Sequence, residues 1–420
     1  IRMRSIRQEV MLKDMLADPK VNIMYAAKYA RSQNAYKRAI GANFGIEKNN
    51  FKATKQQEME SLFRSSKEKT PNFYKPYADA VSTIDRAIEG RRDLRRQFWY
   101  LDEGLWQAIE ATRAPGADDP LTATDKAFTA YNNNKDYLPS LDAKIAKAEL
   151  AEYTRQIDRK DWPTAIAEGI DKFGSVDAYV DAMFAQSTFT TPEGFEAFKK
   201  LGAKEQQAVL SSDLMSRFAA SVRTKRDQLT KDLRAFDNPI DLARRTYVGG
   251  IMAQRGADNL WPDANSTLRF TYGQVRGYSP VDCVEYQVPT TLRGVMEKED
   301  PTSWEFAVPA RLKEIYQKQL YGEGKRWAAK KADGTYEMPV NFAATTHTTG
   351  GNSGSPVFNK YGDLIGINFD RNWEGVGGDI QYLPSYQRSI ICDIRYVLLL
   401  IDQLGECPRL IQELSLVSRR

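Results

Sequence analysis

Histidine and cysteine are both scarce: the 420 residues contain one His and three Cys. The cysteines, Cys283, Cys392 and Cys407, lack C-x-x-C spacing, which excludes a zinc-ribbon or disulfide-framework class. A single histidine excludes His-rich metal chemistry; no metal site is expected, and no cofactor is implied. Long apolar runs are missing as well. The longest, Tyr396 to Ile401, is about six residues, against roughly 20 for a bilayer-spanning helix, so no membrane span is expected. Neither charge sign dominates: 60 Lys plus Arg face 55 Asp plus Glu, interspersed, for a net +5. A dedicated nucleic-acid binder is therefore not favoured. What is present, 42% hydrophobic and 27% charged residues, suits a globular protein with a sizeable core. The chain opens on Ile1 with a charged stretch to Asp18 that reads as helix already under way, so a piece of a longer protein is expected.

Glycine divides the chain, with 9 in residues 1–240 and 18 in residues 241–420. The first part is rich in Ala, Lys, Glu, Gln and Arg, good helix formers. Its apolar residues recur at helical spacing, as in Ile23, Ala27, Ala30 and in Ile145, Leu150, Tyr153, Ile157. Breakers are expected at Thr70-Pro71-Asn72, across Ala114 to Pro120, and at Phe236-Asp237-Asn238-Pro239, giving an all-helical domain of about seven to nine helices. Arg91, Arg92, Arg95 and Arg96 read as a solvated helix face with scattered acidic partners rather than a binding patch. From about residue 247 the pattern changes. Thr267 to Val275 alternates apolar and polar residues and predicts a strand; so do Glu285 to Val288, Phe342 to Thr348, Pro356 to Asn359 and Asp363 to Phe369. Tyr361-Gly362 suggests a hairpin turn. Arg388 to Leu404 reads as a strand followed by a closing helix. The expected class is α + β, a helical domain followed by an antiparallel β domain.

The strongest chemical signal is Gly350-Gly351-Asn352-Ser353-Gly354-Ser355-Pro356-Val357, between two predicted strands. The nucleophile elbow of α/β-hydrolases opens a helix instead. The better match is the G-D-S-G-G-P loop of chymotrypsin-like serine proteases. In that arrangement the amides of Gly351 and Ser353 turn toward one point and form an oxyanion hole, and a side chain at 351 would hinder the backbone. The alternative is a merely structural hairpin turn. Spacing relative to such proteases places His347, six residues before Ser353, at the base of the S1 pocket, and Leu364 to Arg371 along its wall. The wall's last position is commonly glycine in trypsin-like enzymes; here it is Arg371. A guanidinium fork there would select Asp or Glu at P1 by bidentate pairing. The alternative for Arg371 is a structural ion pair with Asp370, Asp363 or Glu374. His347 is too close to Ser353 in sequence to be a triad histidine of the chymotrypsin order. It either lines S1 as an added donor or is a hydrogen-bonded structural histidine.

The run Asn341 to Trp373, with its continuation to Gln403, closely resembles the C-terminal part of bacterial dipeptidyl peptidases, chymotrypsin-fold serine exopeptidases with a large helical domain inserted over the cleft. The resemblance extends to Trp261 through Arg269 and to Ala27 through Gly41, and so covers essentially the whole chain. Arginine at the Arg371 position resembles the branch that cleaves after Asp or Glu. The resemblance implies a helical cap over residues 1–245 and the second half of an antiparallel double β-barrel, with a C-terminal helix, over residues 246–420. It implies Ser353 as nucleophile, and Asn34 and Asp370 as the groups that hold the substrate's free α-amino group. Read from the residues alone, Asn34 continues the Ile23, Ala27, Ala30 stripe and projects an amide from a small apolar face, or else it is a buried, satisfied Asn. The family's triad His and Asp lie upstream of the helical domain and are not in these 420 residues, so the chain alone is expected to be inactive. The resemblance further implies peptide substrates with a free N-terminus, a homodimer, and the periplasm or cell surface of a Gram-negative bacterium. Two other readings stay open: a glutamyl endopeptidase with a helical insert, and a non-catalytic peptide-binding scaffold.

Overall fold

The computed structural model describes residues 1–68, 71–117, 137–256, 267–303 and 305–417, apart from the side chains of 62, 63, 65–68 and 71–74. It divides into two compact units, residues 1–37 with 56–260, and residues 38–55 with 261–420. Among the described residues no helix is long and apolar enough to cross a membrane.

The first unit is helical. Eleven α-helices fall between Arg2 and Arg255 among the described residues, more than the expected seven to nine. The excess comes from short helices that periodicity merges. Thr164–Phe173, Val176–Gln186, Pro192–Lys199 and Ala203–Ser212 follow one another closely. Their starts and stops are set by side-chain caps such as Ser175 and Thr191, each accepting from an amide three residues on. Helix Arg2–Ala17 packs on helix Pro139–Gln156. Met3, Met11 and Met15 are buried on the first, and Ile145, Leu150 and Tyr153 on the second, as the 3.6-residue period of that stretch requires.

Two expectations fail in this unit. The stripe Ile23, Ala27, Ala30 does lie on a helix, Pro19–Lys48, but it faces outward, with Ile23 82% exposed. The buried face is the bulkier set Val21, Met24, Tyr25 and Tyr29. The break at Phe236–Pro239 is also absent: helix Leu214–Arg255 runs through it with Pro239 inside. An interior proline costs roughly 3 kcal/mol through a lost hydrogen bond and a ring clash. Packing offsets this. Ile240 is buried, Phe236 lies over Gly90 so closely that a Cβ there would be 2.7 Å from its ring, and Arg91 and Arg95 both bind Asp237. Exposed Arg92 on Glu89 and Arg96 on Gln156 form the expected solvated face, whereas Arg91 and Arg95 are half-buried against Asp237. Pro71 opens helix Pro71–Gly90, where its missing N–H is harmless, whereas Thr70 and Asp118 to Pro120 lie outside the described residues.

A buried carboxyl makes the stability of this unit pH-dependent. Glu149 is fully buried, and Arg7 approaches it loosely, Nε to Oε1 at 3.5 Å. Desolvation outweighs the attraction of Arg7 and raises the Glu149 pKa to about 8. The folded state therefore keeps a proton that the unfolded chain has lost, and this contribution to stability declines as pH rises from the ordinary carboxyl range through about 8. Glu149→Gln, which cannot ionise, should gain thermal stability over the wild type at pH 8.5 relative to pH 5. Thermal unfolding at both values tests this, and an equal difference at both would contradict it.

The second unit carries a five-stranded antiparallel sheet in the order β1-β4-β7-β6-β5. The strands are β1 (Pro289–Thr291), β4 (Pro339–Ala344), β5 (Pro356–Phe358), β6 (Leu364–Arg371) and β7 (Ser389–Asp393); β2 (Ala329–Lys330) and β3 (Tyr336–Glu337) pair separately. Phe342 pairs with Ile391 across β4 and β7, and both are buried, with Val357 and Ile365 packed against them. β5 and β6 form the expected hairpin. Gly362, at φ +84°, lets the chain turn, and the Asn359 side chain accepts from the amides of Tyr361 and Asp363. After β7, Asp393 caps helix Ile394–Leu399, so strand followed by helix holds over Arg388 to Leu404.

Thr267 to Val275 is not a ladder strand. It is irregular, with one isolated bridge between Val275 and Ala344, and Leu268, Phe270 and Tyr272 are exposed. Alternation set the side-chain directions, but Gly273 packs against the backbone of Thr345 and Thr346 instead of extending a ladder. Glu285 to Val288 likewise is no ladder strand: it makes the isolated Tyr286–Tyr278 bridge, its Val288 carbonyl accepts from the Ala343 amide, and β1 begins just after it.

Candidate active site

The β4–β5 connection holds the serine. Asn352 shapes it: its Oδ1 accepts from the Thr349 amide at 2.9 Å, its amide donates to the Thr349 carbonyl, and its carbonyl accepts from the Ser355 amide. Asn368 of β6 closes the loop from outside. Its carbonyl accepts from the Gly354 amide at 2.7 Å, and its Nδ2 donates to the Asn352 carbonyl at 3.1 Å. Gly351 sits at φ +95°, where a β-carbon would be strained. The amides of Asn352, Gly354 and Ser355 are thus satisfied within the protein. Those of Gly351 and Ser353 have no hydrogen-bond partner among the described residues. Ser353 itself is exposed.

Ser353 Oγ donates to the Phe369 carbonyl at 3.0 Å. That carbonyl is available because β6 bulges between Asn368 and Asp370, where the register against β7 shifts. The bulge brings the serine next to Asp370 and Arg371, which follow at once. Asp370 is exposed, and its Oδ1 accepts from the Arg371 amide at 2.8 Å.

The Arg371 side chain is 16% accessible. Its ion-pair partner is none of the three acids weighed from sequence but Asp379, with Nη1 to Oδ1 at 2.9 Å and Nη2 to Oδ2 at 3.3 Å. The turn Trp373–Asp379 makes this possible by wrapping back over Arg371. A Cβ on Gly378 would stand 3.3 Å from Arg371 Nη1, so only a residue without a side chain fits comfortably. Within this unit the turn is also held by the last part of helix Pro19–Lys48. A Cβ at Gly41 would meet Val376 at 2.8 Å, and one at Gly45 would meet Gly377 Cα at 3.1 Å.

His347 lies in the same neighbourhood. Arg269 Nη2 is 3.1 Å from its Nδ1. A guanidinium only donates, so Nδ1 accepts and the neutral ring carries its proton on Nε2. Burial, with the nearby Arg269 and Arg371 charges, holds the His347 pKa below the usual histidine value, so the ring is neutral at pH 7. Its face rests on Tyr382 at 4.7 Å between centroids.

The second unit thus brings Gly351, Ser353, His347, Asp370 and Arg371 onto one loop and one strand. Asn34 lies in the first unit, exposed on helix Pro19–Lys48, so the alternative of a buried asparagine does not hold. The residues Trp261 to Ser266 that share the resemblance lie outside the described residues. Sequence reasoning missed two site residues. Arg269 was hidden in a presumed strand, yet its guanidinium reaches His347, Thr349 and Asn352. Asp379 was beyond the window of acids considered, although the glycines of Gly375-Val376-Gly377-Gly378 signal a tight return of the chain. Among the described residues no group of three or more His, Cys, Asp or Glu could hold a metal.

The model of one peptidase family, peptidase S46, matches residues 1–416. The chain belongs to the peptidase S46 family. Curated relatives agree. The chain is 49% identical over 434 residues to the Asp/Glu-specific dipeptidyl-peptidase of Porphyromonas gingivalis, covering 99% of this chain and 58% of that protein. It is 39% identical to dipeptidyl-peptidase 7 of Phocaeicola vulgatus, over 100% of this chain and 58% of that protein. Among solved S46 structures, Porphyromonas endodontalis DPP11 in complex with the dipeptide Arg-Glu superposes with a TM-score of 0.87 at 48% identity, covering 98% of this chain and 59% of that one. The chain therefore spans 58% of the length of these curated relatives.

Proposed function

We propose that the complete protein is a serine dipeptidyl peptidase that releases N-terminal dipeptides with Asp or Glu at P1. The observation that carries this is Arg371: an arginine with its side chain 16% accessible, two residues from the carbonyl that accepts the Ser353 hydroxyl hydrogen bond. The name of the Porphyromonas gingivalis relative supports the same substrate class. In this reading Ser353 attacks the second peptide carbonyl of the substrate, and the amides of Gly351 and Ser353 hold the oxyanion. Arg371 pairs with the P1 carboxylate, and Asn34 and Asp370 hold the α-amino group. His347, neutral and held at Nδ1 by Arg269, serves the pocket as part of its wall. The general base is then a histidine beyond these 420 residues, and this stretch alone is inactive. Water resolves the acyl-enzyme.

The same reading takes the second unit as half of a chymotrypsin-like double barrel, with a helical cap over residues 1–245 and the barrel part over residues 246–420. It places the protein in the periplasm or at the cell surface of a Gram-negative bacterium, as a homodimer acting on peptides with free N-termini. A phosphonate warhead carrying an acidic P1 mimic, followed by peptide mapping of the complete protein, tests the reading. An adduct on Ser353 is expected. No adduct on Ser353 would favour a non-catalytic peptide binder.

A further inference from the structure

The pairing of Arg371 raises a question that its assignment to P1 leaves open: why a pocket that selects carboxylates already contains one. A guanidinium offers two bidentate edges, the pair of Nη atoms and the Nε/Nη2 side. Asp379 takes the Nη1/Nη2 edge, and Arg371 Nε has no hydrogen-bond partner among the described residues. Asp379 is itself shared, since Arg38 Nη2 reaches its Oδ2 at 3.2 Å. Two guanidiniums therefore meet one carboxylate, and the edge of Arg371 left open is the one suited to a second carboxylate. The support beneath Asp379 is built. Gly378 lies beside Nη1, and Gly41 and Gly45 admit the turn against the helix.

We propose that Asp379 is a positioning and specificity-determining residue: it grips the Nη edge of Arg371 so that the Nε/Nη2 edge is presented, preorganised, to an acidic P1 side chain. This rests on the reading of Arg371 as the P1 partner. An arginine side chain held at one edge gives up little further rotamer freedom on binding, so the fixed fork favours a planar carboxylate over its neutral isostere. The opposite role, an internal competitor that the substrate must displace, makes predictions of opposite sign.

The test uses the complete protein and two peptides that differ only in Glu or Gln at P1. Asp379→Ala should raise KM for the Glu peptide about tenfold or more, leaving kcat and the Gln peptide little changed. Asp379→Asn, which keeps one acceptor and the shape, should recover part of that loss. In an Arg371→Gly background Asp379→Ala should change kcat/KM for Glu by less than about twofold, because its effect passes through Arg371. A lowered KM for Glu in either single variant would establish the competitor and overturn the proposal. Equal losses on Glu and Gln, or an undiminished loss in the Arg371→Gly background, would reduce Asp379 to a structural residue and overturn it too. Failure of the parent reading looks different: Arg371→Gly itself would then leave the Glu over Gln preference intact.

Discussion

Ser353→Ala in the complete protein should lower kcat by roughly a million-fold, to the level that binding and oxyanion donors alone provide. The loop argues for an effect of that size rather than a modest one. The amides of Asn352, Gly354 and Ser355 are satisfied internally, and those of Gly351 and Ser353 have no hydrogen-bond partner among the described residues. Substrate binding should survive, because Arg371 and Asp379 are untouched, so KM for acidic peptides should change little. Steady-state kinetics at saturating substrate checks this. A residual rate within about tenfold of wild type would place the nucleophile elsewhere.

Arg371→Gly is expected to have the second-largest effect, selective rather than general. A P1 carboxylate seated against Arg371 would shield the pair from water, and removing such a partner costs about 2–5 kcal/mol, or roughly 30- to 5,000-fold in kcat/KM. The loss should fall on Asp and Glu at P1. A peptide with Leu at P1 should be unaffected or improved, since the vacated space lies in the pocket and Asp379 still has Arg38. Parallel kcat/KM measurements on Glu and Leu peptides decide it. Equal loss on both would mean that Arg371 serves only the fold.

Most of this site was legible in the sequence because its parts are local. The glycines, Asn352 and Ser353 lie in one loop, and the distance from Ser353 to Arg371 is fixed by a single hairpin, which formed where Tyr361-Gly362 indicated. Asp379 was not legible in the same way. Its contact depends on the chain wrapping back through a turn that packs on Gly41 and Gly45, hundreds of residues away in sequence. Arg269 was misread for a related reason. Alternation fixes side-chain direction but not whether a partner strand lies alongside, and here only Val275 bridges. In the helical unit, propensity named the class correctly and missed boundaries wherever tertiary contacts prevailed. Pro239 stays within a helix because Asp237, Phe236 and Ile240 are all anchored. The outward face of Ile23 and Ala27 shows the limit of periodicity, which finds a helix without saying which side is covered.

The central claim is that the serine and the arginine together read a short acidic N-terminus. Its most direct test is mass spectrometry of products released by the complete protein from an equimolar peptide mixture. The peptides differ only in their second residue (Asp, Glu, Gln or Leu), and each is supplied with a free and an acetylated N-terminus. Dipeptides ending in Asp or Glu, released only from the free peptides, are the predicted result. Comparable release from the Gln and Leu peptides, or cleavage of the acetylated ones at a similar rate, would contradict it.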